Sequence, residues 1–253
     1  MRSPHQLVHS RARVRQRYAL FPLEGYPTSR LPEWKQTEAR VLAAPALGAQ
    51  FVQYLLDIQP GGGVTLTDDS DPDVEAFFYV LSGSIDIDIN GERRQTLSTG
   101  GIAFVPSATD YWIEAKSAAR VLSLRKRFES EPQLEHPKPI IGHASDVLHT
   151  PFADNPHARL QLLIPDELQY DMAMNIFTFD PGHGLPYVET HVMEHGLLML
   201  EGKGMYYLDG EWMEVEKDDF IWMGPYCPQS FYATGPTPAK YIYYKNVNRE
   251  IAL

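Results

Sequence analysis

Residues 187–196 read Tyr-Val-Glu-Thr-His-Val-Met-Glu-His-Gly, which places three potential metal ligands, Glu189, His191 and His195, within seven positions. On a strand, residues two apart share a face, so Glu189 and His191 are expected to project together, with His195 in the same parity. One carboxylate and two imidazoles leave positions open on an octahedral ion. That oxygen-plus-nitrogen mixture suits Mn²⁺, Fe²⁺ or Ni²⁺ better than a thiolate-rich zinc site. A fourth ligand has to come from elsewhere in the chain. Taken singly, a histidine is more often a half-buried residue with one hydrogen bond than a ligand; three ligand types so close together shift that weighting.

The elements that must position these side chains are strands. Helical periodicity is scarce, while Phe51-Val52-Gln53-Tyr54-Leu55-Leu56, Ile85-Asp86-Ile87-Asp88-Ile89 and Tyr241-Ile242-Tyr243-Tyr244 are β-branched and aromatic runs. Asn90-Gly91 and Asp209-Gly210 are type I′ turn signals between such runs. The segment from Leu81 to Glu92 matches that from Leu200 to Glu211 at a shift of 119 positions. The same shift carries Glu75 to Glu194, Pro106 to Pro225, Asp110 to Gln229 and Lys126 to Lys245, as in a duplicated domain. A proline-rich stretch, 129–139, reads as the linker. The expected division is 1–140, an N-terminal arm with a first barrel, and 141–253, a second barrel.

The chain has 253 residues, a formal net charge of −11 and a single cysteine, Cys227. That balance argues against a nucleic-acid groove and leaves small-molecule or protein partners. One cysteine excludes an intrachain disulfide framework and fits a reducing compartment, read as cytoplasmic. No apolar window is long enough for a membrane-spanning helix. Five arginines in the first seventeen residues give a transit-peptide composition. Val14, Tyr18, Leu20 and Phe21 instead favour an ordered arm beginning with an edge strand. His5, His9, His136, His143, His149, His157 and His183 lack ligand spacing and are expected at the surface.

The Glu-x-His-x-x-x-His order of Glu189, His191 and His195, with Gly202 seven residues later, resembles a permuted first cupin motif. The stretch from Asp218-Asp219 through Pro225 to Gln229 is similar to the second motif, with Asp219 and Cys227 where glycines are usual. The resemblance implies an all-β bicupin, two tandem jelly-roll β-barrels, and makes Gln229 the candidate fourth ligand. At the 119 shift the four ligand positions fall on Ser70, Pro72, Ala76 and Asp110, so the first barrel is expected to be metal-free. Residues 189–196, Leu-Glu-Gly-Lys-Gly-Met-Tyr (200–206) and Tyr-Tyr-Lys-Asn-Val-Asn-Arg (243–249) resemble the (S)-ureidoglycine aminohydrolase family more narrowly.

That family resemblance implies one Mn²⁺ per chain in the second barrel, a homo-oligomer, and hydrolysis of (S)-ureidoglycine to (S)-ureidoglycolate and ammonia in purine catabolism. It carries metal ligation to Glu189, His191, His195 and Gln229. Substrate binding goes to Glu189, Gln229, Tyr241, Lys245 and, more weakly, Tyr206; the catalytic roles fall to Lys245, Tyr241 and Glu189. Without the family, Tyr241 and Lys245 read as an alternating terminal strand ending in a solvated lysine. Two other functions fit a bicupin: a metal-dependent dioxygenase, which consumes O₂, and a non-catalytic binding protein, which holds a ligand without turnover.

Overall fold

The computed structural model describes residues 11–66 and 71–249; Ser70, His5 and His9 lie outside them. The arm contributes β1 (Arg13–Val14) and β2 (Tyr18–Phe21). There follow β3 (Lys35–Ala43), β4 (Phe51–Leu66), β5 (Val74–Ser82), β6 (Ser84–Ile89), β7 (Gln95–Ser98), β8 (Gly101–Val105), β9 (Tyr111–Ala115), β10 (Ala119–Arg127) and β11 (Ile140–His143). The remaining strands are β12 (Thr150–Phe152), β13 (Asn155–Leu162), β14 (Met172–Phe179), β15 (His195–Glu201), β16 (Lys203–Leu208), β17 (Glu211–Glu216), β18 (Phe220–Met223), β19 (Gln229–Ala233) and β20 (Ala239–Asn246). Among the described residues no helix is long and apolar enough to cross a membrane.

The chain forms two compact units, Pro27–Asp146 and Met1–Tyr26 with Val147–Leu253. The first is a sheet in the order β11-β8-β5-β10-β4-β9-β6-β7, with β3 also on β4, closed around Leu56, Phe78, Val80, Ile85, Ile87 and Val121. The second encloses Phe179, Leu197, Met199, Tyr206, Leu208 and Phe231 between a sheet ordered β1-β2-β18-β15-β20-β14-β13-β12 and a smaller one, β17-β16-β19. Strands such as β9 alternate buried and half-buried residues, while β8 and β18 are buried along their whole length, so the sheets curl to take apolar faces out of water.

The expected boundary at residue 140 is corrected. The strand β11, beyond that boundary, pairs with β8 of the first barrel. The arm pairs with the second barrel instead, Tyr18–Phe21 lying antiparallel to Phe220–Met223. Arg11 reinforces this with two hydrogen bonds to Asp219, 2.7 and 3.0 Å. The physical reason is edge coverage, because β18 would otherwise expose a row of unpaired backbone groups.

The constant shift of 119 also needs correction. It holds through β5 and β6, where Gly83 and Gly202 both take left-handed φ and back closely onto the carbonyls of Ala118 and Pro238. The first barrel's β6–β7 hairpin, pairing Ile87 with Gln95, then holds one residue more than the second barrel's, pairing Tyr206 with Met213. The loop from β9 to β10 is two residues shorter than that from β19 to β20. Paired register therefore equates Gln229, opposite Leu208, with Tyr111, opposite Ile89, rather than with Asp110. Lys245, opposite His195, equates with Arg125, opposite Ala76, rather than with Lys126. A one-residue slip sends a strand side chain to the opposite face, and Lys126 accordingly makes a buried ion pair with Glu75 at 3.6 Å.

Asp219 is 1% exposed. Burial raises its pKa to about 7, against the Glu216 backbone amide and the Arg11 charge, which both pull it down. A carboxyl whose folded-state pKa is raised contributes stability at low pH that is lost as pH rises through the folded value. Thermal melts should therefore show the wild type losing stability between about pH 4 and pH 7, and Asp219→Asn a flatter profile over that window.

Candidate metal centre

The segment bearing Glu189 and His191 is not the strand expected from its alternation. Glu189 forms an isolated antiparallel bridge with Gln229. The backbone amide of each residue donates to the carbonyl of the other at 2.8 Å. Two residues on, the Tyr226 amide donates to the His191 carbonyl at 2.7 Å, with Tyr226 in the left-handed region. An irregular loop is thereby pinned to the start of β19. His195 opens β15, directly opposite Lys245 on β20. Glu194 turns away, its carboxylate taking the Trp222 indole N–H at 3.3 Å.

These elements bring the expected side chains to one cavity of about 140 Å³. Glu189, His191, His195, Tyr206, Gln229, Tyr241 and Lys245 all line it. His195 is 3% and Gln229 4% exposed. The wall that sequence reasoning missed includes Tyr243 together with Phe152, Phe177 and Leu185. Tyr243 stands between Tyr241 and Lys245 in the same strand parity, a signal present in the sequence. Its ring meets His195 edge-on at 5.6 Å and stacks on Phe177 at 5.7 Å, which fixes both.

The two imidazoles are held in the neutral form that ligation needs. His195 Nδ1–H donates to the Tyr244 carbonyl at 3.0 Å, leaving the Nε2 lone pair facing the cavity. Burial first, then the neighbouring His191, lower the His195 pKa to about 3, so the ring is neutral. His191 is lowered too, by burial and then by the Lys245 charge. Burial raises Glu189, with Lys245 opposing it.

The fit to a cation rests on three nitrogens. His191 Nε2 lies 3.2 Å from His195 Nε2 and 3.2 Å from Gln229 Nε2. Tyr206 donates to Gln229 Oε1 at 3.1 Å. With the amide in that orientation, His191 Nε2 faces an acceptor lone pair on one side and an N–H donor on the other, and no proton placement satisfies both. A positive centre resolves the conflict, with the amide turned to present Oε1. Adjacent ligands on an ion with bonds of about 2.1 Å are about 3 Å apart, matching these separations. Among the described residues no group of three or more His, Cys, Asp or Glu side chains, Glu189 with His191 and His195 included, is close enough to hold a metal ion by itself. The set depends on the Gln229 amide and on the Glu189 carboxylate sharing the cavity.

Four of the other histidines make structural contacts. His136 Nε2 meets Ser107 Oγ at 3.0 Å, His143 lies 2.9 Å from the Thr99 carbonyl, and His157 pairs with Asp180 while stacked on His183. Cys227 is buried and its thiol is pushed up to about 12, chiefly by burial.

Two barrel-like β units in one chain, with imidazole, carboxylate and amide side chains lining one cavity of the second, define a bicupin. The Cupin domain family model matches residues 54–125 and 175–244. The (S)-ureidoglycine aminohydrolase of Escherichia coli K12 is 34% identical, over 98% of this chain and 95% of the relative. That of Arabidopsis thaliana is 30% identical, over 92% and 76%. A crystal structure of a putative glyoxylate-induced protein from Pseudomonas aeruginosa superimposes with a TM-score of 0.88 at 33% identity, covering 96% of this chain and 94% of that one. The chain belongs to the cupin family and, within it, to the (S)-ureidoglycine aminohydrolase family.

Tyr206 holds the Gln229 amide, so its loss should loosen the site without unfolding the barrel. Tyr206→Phe should weaken divalent-cation affinity by about tenfold or more in equilibrium titration, with the thermal midpoint of the cation-free protein little changed.

Proposed function

We propose that the second barrel hydrolyses (S)-ureidoglycine to (S)-ureidoglycolate and ammonia. The observation that carries this reading is the pairing, in one small cavity, of a cation-competent cluster with Lys245 directly across from it on β20. Relatives of that name, aligned over nearly the whole chain, support the choice of substrate. A molecule of about nine non-hydrogen atoms suits a space of this size.

Ureidoglycine carries an amine and a ureido nitrogen on one carbon. The ureido lone pair expels ammonia as the C–N bond breaks, leaving an acylimine. Water adds to that carbon and loses a proton, and the departing amine gains one, so the balance is one water consumed and one ammonia released. Glu189, His191, His195 and Gln229 would hold a manganese ion. When bound, that ion supplies Lewis-acid anchoring and charge stabilisation for the substrate's oxygens.

Lys245 pairs with the substrate carboxylate and is placed to carry the proton that amine and water exchange. Tyr241 is buried, and burial raises its pKa well above the usual phenol value, so it stays neutral and acts as a hydrogen-bond donor. Phe152, Phe177 and Leu185 exclude bulk water and restrict the face from which one water reaches the carbon. Homo-oligomeric assembly and a cytoplasmic setting belong to the same proposal.

The test is ammonia release from freshly generated (S)-ureidoglycine. Turnover should vanish with chelator and return with Mn²⁺, and Lys245→Ala should lower kcat/KM by roughly a hundredfold or more. Oxygen uptake by the metal-loaded protein would favour the dioxygenase instead, and a bound ligand without product the binding protein.

A further inference from the structure

The first barrel has lost the ligand set but not the charge. Register places Ala76 where the second barrel has His195, Tyr111 where it has Gln229, and Arg125 where it has Lys245. Pro72 stands in for His191, its carbonyl accepting the Ala108 amide at 2.6 Å as the His191 carbonyl accepts that of Tyr226. No imidazole or carboxylate stands at these three ligand positions, yet the cationic position is retained.

A cavity of about 340 Å³ opens beside Arg125, lined also by Phe51, Val52, Tyr54, Asp71 and Arg127 among others, while Ala76, Tyr111 and Pro72 lie outside its lining. Arg127 is committed to Asp71 at 2.8 Å and Asp73 at 3.4 Å. Arg125 is different, because its Nε is buried with no hydrogen-bond partner. Among the described residues its guanidinium forms no ion pair. Tyr111, 7% exposed, has an equally unpartnered buried hydroxyl. Burial raises the pKa of Tyr54 and that of Tyr111, the latter to about 12, while Arg125 pulls both down. Both phenols are therefore neutral donors within the guanidinium's field.

A buried Nε left without a hydrogen-bond partner is costly, and a half-buried guanidinium with no ion-pair partner among the described residues adds to that cost. Both penalties fall if an anion enters. The planar fork matches a carboxylate in two parallel hydrogen bonds. Asp71 in the lining and Glu33, which acts electrostatically on both tyrosines, repel a dianion more strongly than a monoanion.

We propose that the mouth of the first barrel is a second ligand site, which binds a small monocarboxylate through the Arg125 guanidinium with Tyr54 as its hydrogen-bonding wall. The site does not rest on the reaction assigned to the other barrel. N-carbamoylglycine, a chemically stable monocarboxylate, is the probe, titrated calorimetrically into the full chain carrying Lys245→Ala to weaken binding in the second barrel. One equivalent should bind, affinity should fall by about tenfold or more when Arg125→Gln is added, and Arg125→Lys should retain part of it. Equimolar inorganic phosphate should not displace the probe.

Absence of binding, an isotherm unchanged by Arg125→Gln, or displacement by phosphate would each overturn the proposal. If the double variant does not fold, crystals of the unsubstituted protein soaked in N-carbamoylglycine decide the matter. Density bridging the Arg125 guanidinium supports the site, and an empty cavity there overturns it.

Discussion

Two backbone hydrogen bonds of 2.8 Å between Glu189 and Gln229 hold the rest of the site together. They join an irregular loop to the start of β19, and so bring a carboxylate and an imidazole from one segment against an amide from another. On either side the loop is tied down by the Leu185 amide donating to the Phe231 carbonyl at 2.9 Å and the Glu194 amide donating to Asn246 Oδ1 at 2.7 Å, and beside the bridge itself by the Tyr226 amide on the His191 carbonyl. Everything chemical follows from the fixed loop: His191 Nε2 within 3.2 Å of two other nitrogens, Tyr206 steering the amide, and Lys245 facing them from β20. The regular part is the barrel, and the irregular part is the segment that carries two of the four candidate ligands, which is where loops concentrate function.

Much of this was legible in the letters. The alternation of Tyr241, Tyr243 and Lys245 announces one inward face, and the turn dipeptides announce the hairpins. Asn90, Gly91, Asp209 and Gly210 all take the left-handed φ that type I′ turns require. The shared cavity of Gln229 with Glu189, His191 and His195 was foreseen only because a glutamine was admitted through its place in a motif, since composition rules favour His, Cys, Asp and Glu as ligands. The arm's destination was not legible, because pairing of Tyr18–Phe21 with Phe220–Met223 spans some two hundred residues and no local pattern encodes it. Nor was the drift in the repeat. One residue gained in one hairpin and two lost in a later loop leave the letters nearly in phase while reversing which side chains face inward.

That drift explains how the duplicated barrels diverged. Lys126, the apparent match to Lys245, forms a buried ion pair with Glu75 on the outward side, a structural role. Arg125 inherits the inward position. The second barrel gathers its polar groups in one small cavity, whereas among the described residues of the first the Arg125 Nε, beside a larger cavity, and the Tyr111 hydroxyl are buried without partners. Since unpaired buried polar groups are uncommon in stable folds, their persistence in the barrel without the ligand set is a physical oddity that a bound anion accounts for.

The convergence of four side chains on one cation is tested most directly by anomalous diffraction at the manganese edge from crystals grown with Mn²⁺. The account predicts a single strong peak per chain, within bonding distance of His191 Nε2, His195 Nε2, the Gln229 amide oxygen and the Glu189 carboxylate. A map with no peak between those four groups, or with its peak in the first barrel, would contradict it.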